Sequence, residues 1–129
     1  MGKFLGIDYG VKRIGLATGD SESKLAHALE TVSPEGLAAV IDREGPFEAV
    51  VLGLPRNLDG GETAQTLAVR HFNDDVLWRK LGIDAILQDE AATSQVAEEN
   101  LKESGKPYVK ADIDAEAAAI ILQDYLDAL

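Results

Sequence analysis

The chain has no cysteine among its 129 residues, which excludes disulfides, thiolate metal sites and thiol nucleophiles and fits a reducing compartment. Basic residues are scarce: 12 Lys and Arg stand against 23 Asp and Glu, giving a formal net charge of −11 and a pI near 4.4. A field of that sign repels phosphate, so generic polyanion binding is disfavoured, and any contact with nucleic acid needs a local basic patch or a bound cation. No apolar run reaches the ~18 residues of a membrane-spanning helix, and Met1-Gly2-Lys3-Phe4 lacks the apolar region of a signal peptide. The expectation is a cytoplasmic protein that does not engage a membrane.

Apolar material is sufficient. With 46% hydrophobic and 27% charged residues, the chain can bury one sizeable core, and residues 1–129 read as a single domain. Lys3 to Tyr9 and Arg13 to Gly19 are short apolar runs with Gly10 in the turn between them, so they form an antiparallel hairpin. A third strand is expected at Ala28 to Val32. Ser33-Pro34-Glu35 then signals a helix start, with Leu37, Val40 and Ile41 as its apolar stripe.

Glu48 to Leu54 carries a run without polar alternation, as in a strand buried on both faces, and Arg56 to Gly61 is a polar loop. Ala64, Leu67, Ala68, His71 and Phe72 repeat at helical spacing toward Trp78 and Leu81, and Gly82 closes that helix. Ile83 to Gln88 reads as another buried strand. Thr93 or Ser94 caps a helix running to about Ser104, and after Gly105-Lys106-Pro107 a final helix begins near Asp114, with Ala118, Ile121, Leu122, Tyr125, Leu126 and Leu129 on one face. A hairpin followed by alternating helices and strands gives an α/β fold, a mixed sheet with helices on both faces.

In such sheets, ligands collect at the carboxyl ends of strands and at helix N-termini. Three acids belong to such junctions: Asp8 at the end of the first strand, Glu90 after the last strand, and Asp114 opening the terminal helix. Convergent carboxylates repel unless a divalent cation neutralises them, and carboxylate oxygen suits Mg²⁺ or Mn²⁺. Each acid also has an ordinary structural reading, as turn former, surface acid and N-cap. Asp8 fits its own least well, because it interrupts an apolar strand that should be central. Lys12 and Arg13, Arg56 and Asn57, and Lys106 with Lys110 are the available phosphate contacts. His71 falls on an apolar helix face, which suits packing better than catalysis, and Asp74-Asp75 and Glu98-Glu99 read as solvated faces.

Gly6-Ile7-Asp8-Tyr9-Gly10, followed by Lys12-Arg13-Ile14-Gly15-Leu16-Ala17, resembles the opening motif of the YqgF/RuvX family. Gly53-Leu54-Pro55-Arg56-Asn57-Leu58-Asp59-Gly60 is similar to that family's central loop, Asp89-Glu90 to its second acidic motif, and Asp114-Ala115-Glu116-Ala117-Ala118 with Ile121-Leu122-Gln123 to its C-terminal motif.

The resemblance implies an RNase H-like five-stranded sheet and a nuclease dependent on Mg²⁺ or Mn²⁺, with Asp8, Glu90 and Asp114 as its catalytic, metal-binding acids. It implies maturation of the 5′ end of pre-16S rRNA, with ribosomal particles as partners, or resolution of four-way DNA junctions, for which a homodimer is expected. Lys12, Arg13, Arg56, Asn57, Thr93 and Lys110 are the nucleic-acid contacts on that reading. The chain departs from the family in one place. Arginine usually follows the second acid, whereas Glu90 is followed by Ala91 and Ala92, and a phosphate contact is lost with it. That loss, with the acidity, supports an alternative: a weakly catalytic RNase H-like module whose work is binding.

Overall fold

The computed structural model describes residues 2–129. Its five-stranded mixed sheet has the order β3-β2-β1-β4-β5, formed by β1 (Lys3–Tyr9), β2 (Ile14–Asp20), β3 (Leu25–Val32), β4 (Ala49–Pro55) and β5 (Ile86–Glu90). The first three strands are antiparallel, while β4 pairs parallel to both β1 and β5. The expected hairpin is present, with Lys3 opposite Asp20 and Tyr9 opposite Ile14, and the Gly10 N–H donates to the Arg13 carbonyl at 2.9 Å across its turn.

Side chains alternate across the sheet and create two cores. On one face Leu5, Ile7, Ile14, Leu16, Leu52 and Leu54 meet α1 (Leu37–Glu44), entered through a 3₁₀ turn at Pro34–Gly36, and α2 (Ala64–Phe72). On the other, Phe4, Ala17 and Val51 meet α4 (Lys110–Asp127), against which α3 (Thr93–Glu103) packs. Small residues let α4 lie close to the strands. A Cβ at Gly6 would sit 2.8 Å from the Ala118 carbonyl oxygen, and one at Gly15 would overlap the Asp114 carbonyl.

Several boundaries differ from the expectation. β5 starts at Ile86 rather than Ile83, because pairing with β4 begins at Val51 opposite Ile86 and runs to Pro55 opposite Glu90; Glu90 therefore ends the strand instead of following it. β3 starts at Leu25, three residues early, since the β2 register continues to Asp20 opposite Leu25. α4 starts at Lys110, and the Asp112 carboxylate accepts the Val109 N–H at 2.9 Å, satisfying a free amide of its first turn. Asp114 thus lies within the helix and is not its opening residue.

The stripe of α2 also differs. Leu67, His71 and Trp78 are exposed, while Thr66, Val69, Phe72 and Leu77 are buried. Two causes combine. The Thr66 hydroxyl donates to the Pro55 carbonyl and accepts the Thr63 N–H at 2.9 Å, so a polar residue is buried without loss. Beyond Phe72 the helix continues as a π-helical segment, Asn73–Lys80, in which the Leu81 N–H reaches the Val76 carbonyl at 3.0 Å, and the wider turn shifts the phase of the apolar face. Glu98 is likewise partly buried and accepts from the Tyr108 hydroxyl at 2.9 Å.

Candidate active site

β1, β4 and β5 run parallel, so their carboxyl ends emerge together. Asp8 shares its strand face with Phe4 and Gly6, the face that α4 covers. Glu90 ends β5 two strands away, and Asp114 reaches the same end of the sheet because its backbone rests on Gly15, the β2 partner of Asp8. Topology brings to one edge three acids that are widely separated in sequence.

Their environments are unfavourable for charge. Burial, reinforced by the nearby Asp114 carboxylate, pushes the Asp8 carboxyl up to about 7. Glu90 is pushed up to about 8, chiefly by burial, then by the adjacent Asp124 carboxyl and by Asp8, while a hydrogen bond from the Thr93 hydroxyl at 3.0 Å works in the other direction. The second oxygen of Glu90, Oε1, is buried without a hydrogen-bond partner. Among the described residues, neither Asp8 nor Glu90 has an ion-pair partner. Asp114 differs: the Arg13 guanidinium donates through Nε to its Oδ2 at 2.6 Å.

A cleft of about 230 Å³ opens over this edge, lined by Asp8, Arg56, Glu90, Thr93, Ser94 and Gln95 among others. Ser94 and Gln95 also line a second hollow of about 300 Å³ that holds Arg13, Lys110 and Asp114. Sharing Ser94 and Gln95 at the start of α3, the two make one path, with Arg56 beside Asp8 and Glu90 in the first hollow and Arg13 and Lys110 beside Asp114 in the second. Arg56 is held at the rim by Asp89, Nε to Oδ1 at 3.1 Å, and by the Gly60 carbonyl, Nη1 to oxygen at 3.2 Å.

Of the expected phosphate contacts, Arg13, Arg56, Thr93 and Lys110 therefore line the path. Lys12 stays exposed in the hairpin turn, and Asn57 is exposed in the loop after β4, where its backbone N–H donates to the Gly61 carbonyl at 2.9 Å. Lys106 lies elsewhere, in a hollow beside β3. Asp124, beside Glu90, has no place in the sequence expectations. The signal available was its spacing, one turn beyond Ile121, whose side chain covers Gly53 next to the cleft.

The donor set suits a hard divalent cation: all-oxygen ligands, one of them a buried orphan, with like charges pressed together. As the side chains stand, no group of three such residues among those described converges closely enough to hold one. One of the three, Asp114, has an oxygen engaged by Arg13.

The model of the family described as "RuvX: Holliday junction resolvase" matches residues 2–128. The chain belongs to the RuvX family. Relatives within reach of this RuvX chain include one from Syntrophus aciditrophicus, 42% identical over 135 residues that cover 98% of this chain and 89% of that protein, and one from Chloroflexus aggregans, 42% identical over 132 residues covering 96% and 92%. Both carry the name "Putative pre-16S rRNA nuclease". Among solved structures, the RuvX chain is similar to T. thermophilus RuvC in complex with a Holliday junction substrate, with a TM-score of 0.57, 21% identity and coverage of 99% of this chain and 95% of that one. That likeness bears on the fold alone, and the fold of this RuvX chain is RNase H-like.

Proposed function

We propose that the chain is a divalent-metal-dependent nuclease that hydrolyses phosphodiester bonds in precursor rRNA, with Asp8, Glu90 and Asp114 as its metal-binding catalytic acids. The observation that carries this reading is the pair of carboxyls at the ends of β1 and β5, Asp8 and Glu90, desolvated near one another with no ion-pair partner among the described residues. Desolvated like charges destabilise a fold, and a divalent ion offsets that cost. The names of the relatives support a nuclease acting on pre-16S rRNA.

When bound at these acids, Mg²⁺ or Mn²⁺ would supply activation of water and charge neutralisation at the leaving oxygen. The chain's own residues do the rest. Thr93 donates to one oxygen of Glu90, and the other, Oε1, is buried without a donor. Arg56 on one side, and Arg13 with Lys110 on the other, hold phosphates flanking the acids, and Ser94 and Gln95 offer uncharged donors between them. A path with so few cations, Arg56 in one hollow and Arg13 with Lys110 in the other, in a protein of net charge −11, favours a single strand or a locally opened RNA over a four-way junction. The setting is cytoplasmic, on precursor rRNA or ribosomal particles, and a homodimer is required only for the junction reading. Among the described residues, no helix is long and apolar enough to cross a membrane.

Two observations favour a second reading, a binding module of low activity. Ala91 follows Glu90 where the family's arginine is expected, and Asp114 is engaged by Arg13. Cleavage of end-labelled single-stranded RNA, a pre-rRNA 5′ fragment and a four-way DNA junction, each with Mn²⁺ or with EDTA, separates the two. We expect RNA cleavage that is lost in EDTA and in Asp8→Asn. Folded protein that cuts nothing in any lane points to the binding module.

A further inference from the structure

Arg13 occupies an unusual place for a phosphate ligand: its guanidinium lies on one of the acids. We infer that Arg13 exchanges partners, holding the Asp114 carboxylate while the acids lack a cation and turning to a substrate phosphate once a divalent ion claims Asp114. The inference rests on the metal-nuclease reading and adds to it a positioning role for one residue of the hairpin.

The geometry supports exchange over a fixed structural pair. The contact is short but single, Nε to Oδ2 at 2.6 Å, and among the described residues Arg13 makes no other side-chain hydrogen bond. Its remaining N–H groups are therefore free to meet a second acceptor. Arg13 sits in the turn before β2 begins at Ile14, with its side chain 43% exposed, and the Asp114 side chain is 21% exposed. A pair that is this open to water is weak and can be displaced.

The larger movement belongs to Arg13, because the backbone of Asp114 is fixed: its carbonyl packs on Gly15 and it belongs to α4. The direction is set as well. Lys110, Ser94 and Gln95 line the same hollow as the pair, so a released guanidinium remains on the proposed path beside another cation. A divalent ion outcompetes a single positive charge at a shared carboxylate oxygen, and a phosphate provides Arg13 with a new anionic partner.

The test is a double-mutant cycle. Binding of a short fluorescent single-stranded RNA is measured in EDTA for wild type, Asp114→Asn, Arg13→Gln and the double variant, each confirmed folded by its melting transition. Asp114→Asn frees Arg13 and should bind RNA about threefold or more tightly than wild type, and that gain should vanish when Arg13 is already Gln. A gain of the same size in both backgrounds reflects lost negative charge alone and overturns the inference.

A second arm measures Mn²⁺ binding from the free-ion electron paramagnetic resonance signal. Arg13→Gln should bind Mn²⁺ about threefold more tightly, since the competitor is gone; weaker binding would make Arg13 a support for Asp114 and also overturn the inference. If neither wild type nor Arg13→Gln binds Mn²⁺, the metal-centre reading fails, and with it the exchange on metal loading, whatever the EDTA cycle shows about the pair.

Discussion

Gly15 of β2 lies directly under the carbonyl of Asp114, and a methyl group at position 15 would overlap that oxygen. The candidate acid is thus held over the sheet by the absence of a side chain on the neighbouring strand. Gly15→Ala should lift the first turns of α4 and destabilise the protein by about 1–3 kcal/mol, the usual cost of overpacking. Thermal unfolding in EDTA measures it. Metal affinity should fall as well, because Asp114 moves away from Asp8; a variant with an unchanged melting temperature would show that α4 is not seated by this contact.

The raised carboxyls make a prediction about pH in metal-free protein. Asp8, at about 7, and Glu90, at about 8, hold their protons more tightly in the folded chain than in the unfolded one, where ordinary values near 4 apply. Between those limits the native state binds more protons, so stability falls as pH rises; the loss begins above the ordinary carboxylate range and is complete above about 8. The melting temperature in EDTA should be higher near pH 5 than near pH 8. Asp8→Asn, which cannot ionise, should flatten this dependence and stabilise the alkaline protein by on the order of 2 kcal/mol. A wild-type protein that becomes more stable across this range contradicts the assignment of the two acids as desolvated and without an ion-pair partner.

Metal should reverse that trend. A ligand that binds only the folded chain stabilises it by mass action, about 2.7 kcal/mol at a hundredfold excess over Kd, which is on the order of ten degrees for a domain of this size. Mn²⁺ should raise the melting temperature of wild type more than that of Asp8→Asn. Equal shifts would locate the bound cation away from Asp8.

Among the described residues, Arg56 is the lone cation lining the cleft that contains Asp8 and Glu90. Arg56→Ala should weaken single-stranded RNA binding about tenfold, the scale of one charge-assisted contact, with little effect on stability because its partners are exposed. Ala91→Arg, which adds a cation beside Glu90, should strengthen binding. Fluorescence anisotropy reads both. If neither substitution changes affinity, the substrate does not pass through this cleft.

The sequence by itself determined a good part of this. Short apolar runs around Gly10 specify the hairpin, the unalternating run at Val50 to Leu54 requires a strand covered on both faces, and four ordered motifs identify the family. Asp8 was legible as a candidate because an acid at the end of such a strand has no cheap structural explanation.

Tertiary structure decided the rest. Whether Thr66 is buried depends on the Pro55 carbonyl, eleven residues away, accepting its hydroxyl, and hydropathy periodicity does not register a satisfied polar group. The π-helical segment shifted the later apolar positions out of phase with any regular helical count. The candidate site was the least legible part, since its properties arise between elements. Glu90 is raised by burial and by Asp124 on α4, Asp114 is held by Arg13 at a sequence separation of 101, and both relationships exist only once α4 is laid across the glycines of the sheet. Charge and hydrogen bonding act through space, and the chain reveals their partners only after it has folded.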